Sequence, residues 1–267
     1  AIGLMVAGIV LWVTEPVPMA ISGLVIMVSL PAFGILPYLN VTDAATGATT
    51  IGVWGNFISN VIFFILASFG ITSALLKTKV PAKIVFSLMH LTKGNAKATV
   101  LMFMLATAVV SAFVSNLPTT ALFAGIAMSS IIELEQKTGS EKHAKNLGKA
   151  LMIGIAYASI MGGMITPAGS ALNIMTLNML GANAGFTISF LDWVIICAPI
   201  ALILLVVCWL SVVFIFKTDR ISEETMLAIE KSGASVGKLD GFDKKVLAIL
   251  ALMIVAWVAS NWTGWDA

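Results

Sequence analysis

Apolar positions fall in long runs along this chain, interrupted at a few points by short polar segments. Runs over 1–13, 16–37, 53–76, 188–216 and 244–264 predict helices, because in lipid a spanning chain satisfies its backbone internally, as a helix does. Residues 80–92 mix Lys83 and His90 with apolar neighbours, and predict an amphipathic helix lying along a membrane surface. Two further runs are broken in the middle. The run over 98–132 is divided at Ser115-Asn116-Leu117-Pro118, and the run over 150–182 at Gly162–Ser170. The second break is too rich in Gly, Pro and hydroxyls for continuous helix.

The positions of the charges turn these runs into a topology. All fifteen Lys and Arg lie in three clusters: Lys77–Lys97, Lys137–Lys149 and Lys217–Lys245. The positive-inside rule places all three on the cytoplasmic side. The loop at 38–56 has no Lys or Arg and is expected outside. The run over 98–132 starts and ends in cytoplasmic loops, yet its 35 residues are fewer than the roughly 40 that two crossings need. It is therefore expected to be a re-entrant hairpin with its tip at membrane depth. Residues 150–182 are expected to rise as a broken membrane helix, 183–216 to return, and 217–243 to form a cytoplasmic loop. The weak likeness of 1–15 to 246–260, in opposite predicted directions, hints at an inverted repeat whose second copy opens in 244–267. Residues 1–97 read as scaffold-type helices with the interfacial segment, and 98–182 as the transport-type region.

Composition narrows the class. Of 267 residues, 59% are hydrophobic and 10% charged, with a mean hydropathy of +1.03. A soluble domain carries about 25% charged residues, so a soluble enzyme, a disordered chain and a nucleic-acid partner are all excluded. Cys197 and Cys208 share one apolar run and imply no disulfide framework. The chain begins at Ala1 inside an apolar run and is expected to be a fragment of a longer protein.

The two breaks carry the candidate chemistry. Pro118 fits the first turn of a new helix, whose N-terminal N–H groups favour an anion. Pro167 does the same for a helix starting near Ser170. Open carbonyls at Gly162 and Gly163, with the oxygens of Ser115 and Asn116, suit a hard cation such as Na⁺. Ser111, four residues before Ser115, shares its face if the helix continues. Plainer readings stand beside these: a capped loop at Ser115–Pro118, close helix packing at Gly162–Gly163, and local hydrogen bonding for Ser111 and Asn173.

The motifs resemble those of the divalent-anion/sodium symporters. Ser111-Ala-Phe-Val-Ser115-Asn116-Leu117-Pro118-Thr119-Thr120 is similar to the family's Ser-Asn-Thr hairpin tip. Gly162-Gly163-Met164-Ile165-Thr166-Pro167-Ala168-Gly169-Ser170-Ala171-Leu172-Asn173 is similar to its Gly-Gly-x-x-Thr-x-x-Gly-Thr-Pro-Pro-Asn loop. Trp12–Pro18 resembles its early membrane-entry motif. The resemblance implies an all-α polytopic membrane protein of two inverted repeats, here the first repeat and the start of the second. It implies Na⁺ ligation by Ser111, Ser115, Asn116 and the Gly162–Gly163 backbone. It implies substrate contacts from Asn116, Leu117, Pro118, Thr119, Thr166, Pro167, Ser170 and Asn173. Leu117 departs from the signature Thr, and Ser170-Ala171-Leu172 from Thr-Pro-Pro; Thr119 or Thr120 could supply the missing hydroxyl.

The expected function is Na⁺-coupled symport of a small di- or trivalent anion by a multi-pass, dimeric protein of the cell inner (plasma) membrane. The alternatives are a Na⁺-independent exchanger or proton-coupled permease and, in other classes, a membrane enzyme or a channel. No His-Glu-x-x-His, paired intramembrane aspartates or repeated filter sequence speaks for the last two. One repeat holds only half of such a site, so this stretch alone is expected to be inactive.

Overall fold

The computed structural model describes residues 2–43, 49–50, 52–55, 60–89, 91–92, 95–138, 141–217 and 237–263. Residues 218–236 of the expected cytoplasmic loop, His90 and both chain ends lie outside the described residues. The described residues form ten α-helices, one 3-10 turn and one short hairpin. They divide into two units, Ala1–Phe64 and Ile65–Ala267.

In the first unit, α1 (Ile2–Thr14) packs on α2 (Met19–Ala32). Small residues set that contact: Gly8 and Ser22 are buried, and a Cβ on Gly8 would lie 3.0 Å from Ile26 Cδ1. Helices in lipid gain little from burying apolar surface against one another, so close approach of small residues decides where they meet. Glu15 ends α1 with a left-handed φ of 45° before Pro16, which cannot continue the helix hydrogen-bond ladder. The loop after α2, which has no Lys or Arg, holds an unexpected hairpin, β1 (Val41–Thr42) and β2 (Thr49–Thr50), paired Val41 to Thr50 and Thr42 to Thr49.

The second unit is built around one helix. In order it contains α3 (Asn60–Leu76) from Ile65 onward, α4 (Val80–Met89), α5 (Ala96–Ser111), α6 (Asn116–Thr138) and α7 (Glu141–Ile165). The 3-10 turn Pro167–Gly169, α8 (Ala171–Ala184), α9 (Phe190–Phe216) and α10 (Gly241–Thr263) follow. Helices α5, α6 and α9 all pack on α7. Val100, Phe103, Met104, Phe123, Leu151 and Ile155 are its buried core. Gly154 lets α5 close in: a Cβ there would meet Met104 Sδ at 3.1 Å.

The ends of these helices follow from local chemistry. Asn95 caps α5 by accepting from Lys97 N at 3.0 Å, and Ser189 caps α9 by accepting from Asp192 N at 3.1 Å. Among the described residues, two helical stretches, Lys145–Ile165 of α7 and Phe190–Phe216, are long and apolar enough to cross a membrane by length and composition. Helix α9 leaves Ile203 and Phe214 widely exposed, as a lipid-facing helix would. Helix α5 has 16 residues, a rise of about 24 Å, short of the roughly 30 Å hydrocarbon core.

A reciprocal cap fixes the start of α10. Asp240 Oδ1 accepts from the N–H groups of Phe242 and Asp243, each at 2.9 Å, and Asp243 Oδ2 accepts from Asp240 N at 2.9 Å. Asp243 Oδ1 also accepts from Lys79 N at 3.2 Å, and Lys79 Nζ lies 3.4 Å from Asp240 Oδ2. The α3–α4 turn is thereby tied to a helix more than 160 residues later. Asp243 is buried, so Asp243→Asn is expected to cost about 1 kcal/mol of stability, read as a lowered Tm of the detergent-purified protein. The Asp243 N–H bond is the first cause holding the Asp240 carboxyl below its usual pKa, with the Lys79 ammonium adding to it. A depressed carboxylate contributes stability above its unfolded pKa and loses it as pH falls through the folded one. The cap is therefore expected to weaken only below about pH 4.

Candidate functional site at the two helix breaks

The first break is the turn between α5 and α6. Helix α5 ends at Ser111, and Ala112–Ser115 lead into α6, which starts at Asn116. Pro118 lies in the first turn of α6, where an N–H has no helical partner to lose. The spacing argument that put Ser111 and Ser115 on one helical face does not hold, because the helix stops between them. Ser111 is fully buried, whereas Ser115 is half-buried.

The second break is the end of α7. The last carbonyls of any α-helix have no partner within it. Pro167 sharpens this, because it has no N–H to give to Gly163 four residues back. Asn173 fills the role: its Nδ2 donates to Gly163 O at 2.7 Å and to Thr166 O at 2.9 Å. Trp193 Nε1 donates to Met164 O at 3.0 Å. Thr166 donates to Ala112 O and accepts from Gly169 N at 3.1 Å. Ser170 then caps α8, accepting from Leu172 N at 3.3 Å. The expectation of open carbonyls at Gly162–Gly163 is thus corrected at Gly163, whose carbonyl is occupied by Asn173. Both glycines belong to the last turn of α7.

The two breaks interlock. A Cβ on Gly162 would fall inside contact distance of the Ala108 backbone, and one on Gly163 inside that of Asn116 Oδ1. A Cβ on Gly169 would lie 2.6 Å from Gly163 O and 2.9 Å from Ser111 O. Glycine is required at Gly162 and Gly169 because backbone lies where a side chain would go, and at Gly163 because the Asn116 carboxamide does.

A compact set of oxygens results. Ser111 Oγ lies 2.7 Å from Ser159 O and 2.9 Å from Asn116 Oδ1. Its hydroxyl has one hydrogen for these two acceptors. With the Asn116 carboxamide so oriented, the group is acceptor-rich. That donor set fits a hard monovalent cation, which wants several oxygen ligands. Next to it, Thr120 Oγ1 and Ser159 Oγ are 2.6 Å apart, and Thr120 Oγ1 reaches Asn116 O at 2.9 Å.

Of the residues singled out by sequence, the structure gathers Ser111, Asn116, Gly162 and Gly163 into one cluster. Thr166 and Asn173 are buried; Thr166 ties the second break to the first through Ala112 O, and Asn173 ties the start of α8 to the end of α7. Thr119 is fully buried and its hydroxyl turns back to Ser115 O at 3.0 Å, so it does not replace the signature hydroxyl. Leu117 is 83% exposed. Ser115 and Ser170 line a small cleft beside α3; Pro167 is buried in the 3-10 turn. Sequence reasoning missed Ser159. It precedes Gly162 and Gly163 by three and four residues, a helical spacing that points it at the same neighbours.

Comparison with known proteins sets this geometry in context. Residues 9–266 match the family model described as citrate transporter (CitMHS). The chain is 26% identical over 252 residues to the sodium-dependent dicarboxylate transporter SdcS of Staphylococcus aureus (strain USA300). The protein of that name from strain NCTC 8325 / PS 47 is equally similar. Each alignment covers 92% of this chain and 46% of the relative, so the chain spans about half the length of the curated relatives it matches.

Proposed function

The chain belongs to the citrate transporter family, and from that premise we propose that it forms part of a secondary transporter coupling Na⁺ entry to uptake of a small di- or trivalent anion. The observation that carries the Na⁺ reading is the Ser111 hydroxyl, whose single hydrogen is shared between Ser159 O and Asn116 Oδ1. A cation among these oxygens satisfies the acceptor left over. Na⁺ is here a transported substrate, held by Ser111, Asn116 and the Ser159 carbonyl. The sodium-dependent dicarboxylate transporters among the relatives support the same coupling and a carboxylate cargo.

The anion is placed at the N-termini of α6 and α8, beside the cation. Half-helix N-termini offer unpaired N–H groups and a positive dipole end to a carboxylate or sulfate. Cation and anion then each lower the cost of holding the other at membrane depth, where an isolated charge is expensive. The short α5 supports a re-entrant reading of α5–α6. A dimeric, inverted-repeat assembly in the cell inner membrane belongs to the same proposal.

The test is uptake into proteoliposomes holding the full gene product. Radiolabelled succinate, citrate and sulfate are offered with an inward Na⁺ gradient or with choline in its place. Accumulation of one of them at least tenfold faster with Na⁺ is the expected result. Uptake indifferent to the replacement would reject Na⁺ coupling in favour of exchange or proton coupling.

A further inference from the structure

Many hydroxyls on the apolar helices of this protein follow a habit, and two buried ones depart from it: Ser22, packed in the α1–α2 contact, and Thr72 on α3. Thr14, Ser29, Thr107, Ser129 and Ser211 each donate to the carbonyl four residues back, at 2.6–3.0 Å. That local bond is how a Ser or Thr side chain avoids an unpaired polar group in an apolar setting. Helix α3 carries Ser68 and Thr72 one turn apart, on one face. Among the described residues neither hydroxyl has a hydrogen-bond partner, and neither does that of Ser115. Thr72 is only 4% exposed.

Ser68, Thr72 and Ser115 line one cleft together with Gly169, Ser170 and Ala171. The cleft measures about 20 Å³, room for about one water-sized group. It is too small for a whole dianion, and it suits one oxygen at the end of one. Its lining has no charged side chain, so no carboxylate there repels an anion. The first N–H groups of α8 lie at Ala171, and the 14 residues of that helix give them a dipole behind them. The Ser170 hydroxyl accepts from Leu172 N, which leaves its own hydrogen to donate.

We propose that Ser68 and Thr72 of α3 are substrate-binding residues, their hydroxyls donating to an oxyanion oxygen of the transported anion held against Ser115 and the start of α8. This rests on the transport reading above and extends the site to a helix that no motif marked. It accounts for a buried threonine left without its usual bond, and for Leu117: the hydroxyl missing from the hairpin tip is supplied from α3.

The test uses the full gene product in proteoliposomes under a Na⁺ gradient, with succinate, citrate and sulfate as separate arms. Thr72→Val keeps the shape and removes the donor; Ser68→Ala removes the other; Thr72→Ser restores the hydroxyl. Each loss variant is expected to raise KM about tenfold for the substrate taken up, the size of one lost hydrogen bond to a charged group. Half-saturation by Na⁺ should move less than twofold, and Thr72→Ser should stay near the parent. A structural defect would shift both constants and escape rescue by serine. A carboxylate cargo shows the shift with succinate or citrate, a sulfate cargo with sulfate alone. Unchanged KM in both loss variants, with Asn116→Ala inactive, overturns the α3 assignment and leaves the Na⁺-coupled reading standing. Full activity in Asn116→Ala overturns that reading itself. Should Thr72→Val fail to reach the membrane, Ser68→Cys is labelled with a membrane-permeant thiol reagent, against the background of Cys197 and Cys208 in the parent. Protection by saturating substrate with Na⁺ supports the proposal; equal labelling with and without substrate overturns it.

Discussion

Asn116→Ala is expected to abolish Na⁺-dependent uptake of every substrate offered, while the protein still reaches the membrane. Asn116 contributes Oδ1 to the oxygen cluster, 2.9 Å from Ser111 Oγ, and its own backbone opens α6. Removing the side chain takes away a ligand of the proposed cation site. A lost hydrogen bond or ligand to a charged group costs about 1.5–3 kcal/mol, roughly a 10- to 150-fold loss of affinity. In the proposed site the cation and the anion support each other, so the losses compound at the level of uptake. The fold suffers less: Asn116 is half-buried, and Thr120 still bonds to its backbone carbonyl. Isothermal titration of Na⁺ into detergent-purified protein separates the two effects. Loss of the Na⁺ binding signal with a near-parental Tm is the predicted pair. A binding curve that matches the parent's would take Asn116 out of the cation site.

Gly163→Ala is expected to be as damaging to transport and worse for stability. The added methyl would fall inside contact distance of Asn116 Oδ1, displacing the same oxygen that the first variant removes. Overpacking of a tight interior site costs about 1–3 kcal/mol. Gly163 O also holds the Asn173 carboxamide at 2.7 Å, and Gly169 lies against Gly163. A shift of α7 outward to relieve the methyl would therefore disturb both breaks at once. The helix itself would gain: alanine is about 1 kcal/mol better than glycine inside a helix. The sign of the Tm change thus decides between the two descriptions. A Tm lowered by several degrees with no uptake is expected; a raised Tm with normal uptake would mean that Gly163 is only a loose helix-end glycine.

Much of this architecture could be read from the order of residues. The boundaries of the apolar runs lie close to the observed helices: 188–216 against α9, 80–92 against α4, 244–264 against α10. Such runs are legible because a chain in lipid has a single way to satisfy its backbone over that length. Both interruptions were visible too, since Pro118 and Pro167 remove N–H groups wherever they stand. Other features were hidden. The β1–β2 hairpin sits in a loop of small polar residues with no alternating pattern, and the Asp243–Lys79 bond joins residues 164 apart. No local rule addresses either.

The sequence alone determined which segments are helical and where two of them break. Those properties follow from backbone hydrogen bonding and proline geometry, which act over a few residues. Only the tertiary structure decided what the polar groups face. It turned Thr166 and Asn173 into braces, occupied the Gly163 carbonyl, and separated Ser115 from Ser111. It also brought Ser159 to the oxygen cluster, and Ser68 and Thr72 to the cleft. A hydroxyl or carboxamide forms its bond with whatever lies within about 3 Å. On α3, α7 and α8 that neighbour is set by how helices distant in sequence pack against one another.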